Sequence, residues 1–467
     1  MTLAPGVRGL VLAAVAAVVT SAGAAAVLLT PPDPLRKITG TVDAAPGLAW
    51  SIDAAALSGR SFAEFRSPVD ATSVNLGSAG FLPVGDTLVT VVGVSTDDSV
   101  QLRDAVMYGI DAATGTTTWQ APADGLGGCA AVPLDGELLC FADATTGPSE
   151  VVGYDLSDGT VTRSPVPWQP FALAVADDHL FVAEGDVESD DVRVHSGTLA
   201  DPDSRWTRSF AMGTAWEDLY GGNALDVTHG QGLLALGADL AGFDLDTGAP
   251  TWTADLDGCS RVTTTTPALV ERIRTRCDGY RVSGVDLLDR TGRILATTER
   301  GAVHGLLIDE PADDTIPVLL ADTAYDRRDG SVRWTNPDLV YSSPDYKDVP
   351  TEYGTAAAVL GDLAVLADPT TQTTSGLDLR TGETRWRVHT ERQGTVALRD
   401  GDDILFTDAL GLWSVDAHTG KTHWDIPFRA VNPDPDAFAG TTALATTGND
   451  HLTVATGRTM IGLRPFD

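Results

Sequence analysis

The sequence predicts an all-β chain of four-stranded blades closed into a propeller, and three observations lead there. First, an Asp, three residues, a Gly, three residues and a Trp recur as Asp111/Gly115/Trp119, Asp244/Gly248/Trp252, Asp326/Gly330/Trp334, Asp378/Gly382/Trp386 and Asp416/Gly420/Trp424. Second, the directly neighbouring copies lie 52 residues (Asp326 to Asp378) and 38 residues (Asp378 to Asp416) apart, as expected of one repeated supersecondary unit rather than separate domains. Third, 48 Gly and 26 Pro in 467 residues, with no long amphipathic helical pattern after residue 40, suit many short strands and turns.

Taken from the N-terminus, residues 1–8 are expected to be a short cytoplasmic tail and residues 9–29 (GLVLAAVAAVVTSAGAAAVLL) a transmembrane anchor. The segment carries no charge, follows Arg8 and stops at Thr30-Pro31-Pro32, and its length can just span a bilayer as a helix. A cleavable signal peptide is the alternative, because Ala22-Gly23-Ala24 fits a small-residue cleavage site. The apolar run continues past that site, which favours the anchor, and no Cys follows at the distance a lipid anchor needs. Residues 30–44 are read as a linker and residues 45–467 as the propeller, on the extracytoplasmic side of the cytoplasmic membrane, or secreted if the segment is cleaved.

Each repeat reads as two hairpins. In MYGIDAATGTTTW, apolar residues lead to Gly109 and Asp111, whose carboxylate caps nearby amides, while Gly115 takes the positive φ that closes the turn. A second strand ends on Trp119. Weaker copies are Asp155/Gly159 with Arg163 in the Trp slot, and Asp286 with a longer turn closed at Gly292. A Gly two residues before the Asp, at Gly109, Gly153, Gly242, Gly284 and Gly376, is expected where a strand passes close to another backbone. Upstream hairpins such as CAAVPLDGELLCF and TVALRDGDDILFTDA carry apolar or β-branched runs around Asp-Gly. Four strands per unit follow.

The final repeat, GNDHLTVATGRTMIGLRPFD, stops where its last strand is due, with Gly462 and Arg464 in the Gly and Asp slots. The N-terminal GLAWSID can supply that strand, with Trp50 as its docking aromatic, and close the ring without exposed edges. Counting the divergent unit that ends near Trp206 gives nine segments; eight blades is the preferred count, because propellers commonly carry four to eight, with nine as the alternative.

The repeated phrase resembles that of quinoprotein-like β-propellers, a family that includes pyrroloquinoline quinone (PQQ) dehydrogenases and non-catalytic relatives such as the outer-membrane assembly lipoprotein. The resemblance covers about residues 45–467. It implies that Trp50, Trp119, Trp252, Trp334, Trp386 and Trp424 each dock one blade onto the next, which agrees with the simplest reading of a large aromatic at a fixed repeat position. The family's dehydrogenases commonly hold PQQ under a vicinal disulfide and over a Trp, with calcium on Glu and Asn near a catalytic Asp. This chain has no adjacent Cys pair and no stretch that matches those ligands, so the resemblance points to the non-catalytic branch. No catalytic, metal-ligating or cofactor-binding residue is assigned, and no cofactor is expected; PQQ with calcium is the alternative.

Cys129 and Cys140 flank a Pro-Leu-Asp-Gly turn and so face each other across adjacent antiparallel strands, close enough for a disulfide. Cys259 and Cys277 hold the corresponding place three blades on, around Pro267-Ala268. Two local bridges fit an exported protein. A metal site is disfavoured, since neither pair has CxxC spacing and the eight His form no ligand cluster. No HExxH, GxSxG, phosphate-binding loop or helix-opening GxGxxG is present.

The net charge of −34 and pI near 4.3 argue against nucleic acid and anionic lipid as partners. The acidic runs Glu188-Ser189-Asp190-Asp191 and Asp309-Glu310-Pro311-Ala312-Asp313-Asp314 read as solvated loops, because neither has the ordered spacing of a calcium loop. The expected function is a membrane-anchored, non-enzymatic scaffold or sensor that binds a cell-envelope protein or ligand on a propeller rim. The alternative is a PQQ- and calcium-dependent dehydrogenase with atypical ligands.

Overall fold

A computed structural model of the protein describes residues 45–464 apart from 70–77, 97–98, 143–148, 186–190, 213–223, 237–238, 256–258, 267–268, 278–280, 345–349, 391, 393 and 448–450. These residues belong to one compact unit, Gly40–Asp467. The expected cytoplasmic tail, the 9–29 segment and the linker lie outside the described residues. Among the described residues no helix is long and apolar enough to cross a membrane.

The turn chemistry read from the sequence sets the local structure. Asp111 Oδ1 accepts from Thr114 N–H and from its hydroxyl at 2.8 and 2.7 Å, and Gly115 N–H closes onto Asp111 O at 2.8 Å with φ of 69°. That backbone region is open to glycine and costly for other residues. The same Asp–Thr–Gly arrangement recurs at Asp244/Thr247/Gly248, Asp378/Thr381/Gly382 and Asp416/Thr419/Gly420. The fifth copy closes in the same way, Gly330 N–H donating to Asp326 O at 2.9 Å, but it contains no Thr, and Arg328 N–H caps the Asp326 carboxylate at 2.8 Å in its place. Each turn joins the last two strands of its unit.

Nine blades result among the described residues. Blade 1 runs over Ala63–Pro122, blade 2 over Leu126–Pro165, blade 3 over Pro170–Phe210, blade 4 over Leu225–Asp255 and blade 5 over Arg261–Thr298. Blade 6 spans Val318–Thr335, blade 7 Ala356–His389 and blade 8 Thr395–Pro427. Blade 9 joins Ala443–Arg464 to the strand Gly47–Asp53, which pairs antiparallel with Thr459–Arg464. The preferred count of eight is therefore corrected to nine, because the divergent unit around Trp206 is a complete four-stranded blade of its own. First strands of neighbouring blades touch one another, as Ala356–Gly361 touches Thr395–Asp400 and the latter touches Ala443–Thr447. They thus line the axis.

Two further expectations are corrected. Blade 6 has three strands, not four. The segment Ile308–Pro311, which holds the first three residues of the acidic run read as a solvated loop, is instead a strand that pairs parallel with Ala356–Gly361 of blade 7. Leu307 N–H and Ala312 N–H donate to Ala357 O and Gly361 O at its two ends, so blade 7 takes up its backbone groups. Between blades 6 and 7 an extra hairpin, Val340–Pro344 with Pro350–Gly354, forms its own two-stranded sheet. In blade 5 the turn Asp is Asp289, whose carbonyl accepts Gly292 N–H at 2.9 Å, and not Asp286. Asp286 is buried in the sheet, held by Arg272 and by the Thr297 hydroxyl.

The core is made between blades rather than within them. Val89, Met107 and Trp119 of blade 1 pack with Leu126, Leu138 and Tyr154 of blade 2; Trp50 and Met460 of blade 9 pack with Leu88 and Ile110 of blade 1. Glu137–Ala142, with five consecutive buried residues, is covered on both faces, so its sequence shows an apolar run and no alternation.

Candidate functional site

The docking tryptophans form the seams. Trp119 Nε1–H donates to Leu156 O at 2.8 Å and Trp386 Nε1–H to Ala417 O at 2.7 Å. Trp50, Trp252 and Trp334 do the same to Ala112, Arg290 and Leu379. Every acceptor is the residue directly after a turn Asp of the next blade. The indole also lies on that turn's Gly: a Cβ on Gly115, Gly159, Gly292, Gly382 or Gly420 would lie within 2.8 Å of the Trp before it. Gly330 departs from this pattern. The last strand of blade 5, Ile294–Thr298, contains no Trp, and a Cβ on Gly330 would meet the Leu295 carbonyl oxygen at 2.0 Å. The seam between blades 5 and 6 therefore closes on backbone and Leu295 rather than on an indole.

On its other side the ring covers the Gly it opposes in its own blade, Gly109 for Trp119, Gly242 for Trp252, Gly376 for Trp386 and Gly462 for Trp50. The expected close backbone approach at these glycines is thus an indole ring instead. At Gly153 the neighbour is Leu199, whereas a Cβ on Gly284 would meet Arg274 and, at 2.4 Å, the Thr298 carbonyl oxygen, the close backbone approach expected there.

Trp50, Trp119, Trp386 and Trp424 are buried, whereas Trp252 and Trp334 are half-buried. Trp424 opposes Ser414 in its own blade, and blade 9 has no Asp–Gly turn leading into its fourth strand, because that strand is the N-terminal Gly47–Asp53. Trp206, which the repeat reading passed over as a docking residue, donates to Leu245 O at 3.1 Å and covers Gly248. The Asp244/Gly248 turn in the following unit is the signal that could have found it. Between blades 2 and 3, Arg163 holds the Trp slot, and Trp168 stacks on buried His195 at 4.2 Å.

The structure holds disulfides Cys129–Cys140 and Cys259–Cys277. Cys129 opposes Cys140 directly across the first two strands of blade 2; Pro267-Ala268 lies outside the described residues. The acidic runs are tied down by arginines. Asp191 pairs with Arg193, Asp313 with Arg380 and Asp314 with Arg328, while Glu188, Ser189 and Asp190 lie outside the described residues. Hydrogen bonds from Thr315 and Arg380 hold the Asp313 carboxyl down at about 2.

Near the inner edge of blades 5 to 7, Glu271, Asp309 and Arg327 form a sequestered charge cluster. Asp309 accepts Thr266 N–H at 2.6 Å and lies 4.0 Å from the Arg327 guanidinium. Burial, and then the Asp309 charge, push the Glu271 carboxyl up to about 8. His304, held between Ala321 O and Ala356 N–H, is pushed down to about 4 by burial. Among the described residues no three His, Cys, Asp or Glu side chains are grouped to hold a metal. The residues present do not fit PQQ and calcium: the cysteines bridge across 11 and 18 positions instead of neighbouring each other, and the buried inner carboxylates face a guanidinium.

Two cavities on the outer parts of blades 7 to 9 were not foreseen. One, of about 340 Å³, is a groove at Ala409–Leu410 and Pro427–Phe438. It is formed by the tight turn at Asp408, which accepts from Leu410 and Gly411 N–H, and by the connection from blade 8 to blade 9. Phe428 and Phe438 stack there at 4.3 Å, and Leu410 stands 65% exposed. The other, of about 330 Å³, lies between blades 7 and 8, with Phe406 and Trp413 beneath and Lys421 and Thr422 at its edge. Arg392 forms one wall, 4.0 Å over the Trp413 ring and bonded to both Asp408 and Asp425. Spacing gave no sign of either, because each gathers residues from two or three separate turns.

Residues 370–464 match the family model described as outer membrane protein assembly factor BamB. No curated protein matches the chain. Among solved structures, BamB from Moraxella catarrhalis is 13% identical with a TM-score of 0.42, covering 90% of this chain and 97% of that one. The computationally designed Ika8 protein is 12% identical with a TM-score of 0.44, covering 84% and 99%. Dihydro-heme d1 dehydrogenase NirN in complex with DHE is 14% identical with a TM-score of 0.41, covering 75% and 66%. Over residues 370–464 the repeats of this chain are similar to those of the outer-membrane assembly factor family.

Proposed function

We propose that the protein is a non-enzymatic β-propeller scaffold, held at the outer face of the cytoplasmic membrane through residues 9–29, that binds a cell-envelope protein on its rim. The observation that carries this reading is the groove at Leu410. An exposed leucine beside two stacked phenylalanines is a ready apolar anchor point, and the groove falls wholly inside residues 370–464, the part similar to an assembly-factor family. No cofactor belongs to this reading, since a quinone supplies redox chemistry only where a protein holds and tunes it.

The test is a photocrosslinker placed at Leu410 in native membranes. A defined envelope protein is expected, and Leu410→Asp is expected to remove that crosslink while leaving the melting temperature unchanged. PQQ with calcium is expected to give no alcohol- or sugar-dependent dye reduction. Crosslinks that survive Leu410→Asp, or stoichiometric quinone binding with turnover, would overturn the proposal.

A further inference from the structure

We propose that the cavity between blades 7 and 8 binds a small organic anion with an apolar body, an aromatic carboxylate being the class that fits. Its volume of about 330 Å³ is in the range of small-molecule sites, roughly 300–1,000 Å³. The floor is apolar and rigid. Phe406 and Trp413 are buried and stacked at 5.6 Å, and the Arg392 guanidinium is fixed over Trp413 by bonds to two carboxylates.

The lining has the opposite sign to the molecule. The chain carries 65 acidic residues against 31 Lys and Arg, yet among the described residues no Asp or Glu lines this cavity, while Arg392, Lys421 and His389 do. Arg392 is already neutralised by Asp408 and Asp425. Lys421, one of three lysines in the chain, makes no ion pair with a described carboxylate, and it stands at the edge beside the Thr422 hydroxyl. A flat apolar ring can pack against Phe406, beside the Arg392 plane that covers Trp413, and leave its carboxylate at the edge, where an ammonium and a hydroxyl both donate to it. An uncharged ring leaves Lys421 without a partner, and inorganic phosphate leaves the floor empty.

The probe is 2-naphthoate, titrated calorimetrically into the full chain, with 2-naphthalenemethanol as its uncharged counterpart. Saturable binding at one site per chain is expected. Lys421→Ala should weaken it about tenfold, in keeping with a hydrogen bond to a charged group, whereas Lys421→Arg should retain it. The alcohol should bind no better to the parent chain than naphthoate binds to Lys421→Ala. Lys421 is exposed, so the variant should melt where the parent does. Leu410→Asp should leave naphthoate binding intact, which separates this site from the rim groove. Absence of saturable binding, equal affinity of Lys421→Ala and parent, or equal affinity for the alcohol would each overturn the proposal.

Discussion

A single indole shows how much one side chain contributes to this fold. Trp386 bonds Ala417 O of blade 8, covers Gly420 there and fills the space above Gly376 in blade 7. Truncation would empty all three contacts and leave a buried carbonyl without its donor. Trp386→Ala should therefore cost roughly 3–5 kcal/mol in chemical denaturation, as other buried aromatics do; an unchanged denaturation midpoint would refute the docking role. Glu271 gives a pH-dependent counterpart. Its carboxyl is pushed from 4.5 up to about 8, by burial first and the Asp309 charge next, so the native state holds the proton more tightly than the unfolded chain. Stability from this group is full below about pH 4.5 and declines as pH rises towards 8. Glu271→Gln keeps the neutral shape and abolishes the titration. The melting temperature of Glu271→Gln should gain on the parent between pH 5 and pH 8; His304, whose own contribution is lost as pH falls from 6.5 towards 4, is common to both proteins and cancels. A difference that stays flat with pH would place Glu271 in contact with water.

At the scale of strands and turns, what was legible in the sequence was local. The Asp–Thr–Gly turn closes through hydrogen bonds within five residues, so its residues announce it, and the opposed Trp follows at a fixed offset. The Cys129–Cys140 hairpin was legible for the same reason, with Asp135 and Gly136 both at positive φ around its turn. What escaped was settled between distant segments. Gly330 marked its turn correctly, yet what covers it is decided by the blade before, which brings Leu295 where other seams bring Trp. Ile308–Pro311 looked like part of a solvated acidic loop, but its parallel pairing with Ala356–Gly361 is a choice made across about fifty residues and leaves no periodic mark. Asp286 matched the turn Asp by type and was displaced by Asp289, because two arginines could satisfy Asp286 inside the sheet while Asp289 lies where Gly292 can reach its carbonyl. The groove at Leu410 and the cavity under Lys421 belong to the same class: Leu410, Phe428 and Phe438 come from one turn and one connection, and no spacing rule joins them.

For the molecule as a whole, the decisive device is the closure of blade 9 by the strand Gly47–Asp53. Its register runs from Gly47 opposite Arg464 to Asp53 opposite Thr459, so the two ends of the ring meet in one sheet. The strand also carries Trp50, which docks blade 9 onto blade 1 through Ala112 O and Gly115, and Trp50, Phe65, Leu88 and Met460 share one buried cluster. Loss of this strand would therefore open the ring twice, by freeing the hydrogen-bonding edge of Thr459–Arg464 and by removing the aromatic of the adjoining seam. A bare edge of this kind recruits strands from other copies. Internal deletion of Gly47–Asp53 should lower the melting temperature and produce concentration-dependent association in sedimentation runs, and a peptide of sequence GLAWSID added in trans should reverse both. The same peptide with Trp50 replaced by Ala should pair less well, because the backbone register remains while the seam contact is gone. If the deleted chain stayed monomeric with its melting temperature intact, closure by this strand would not be what holds the nine blades in a ring.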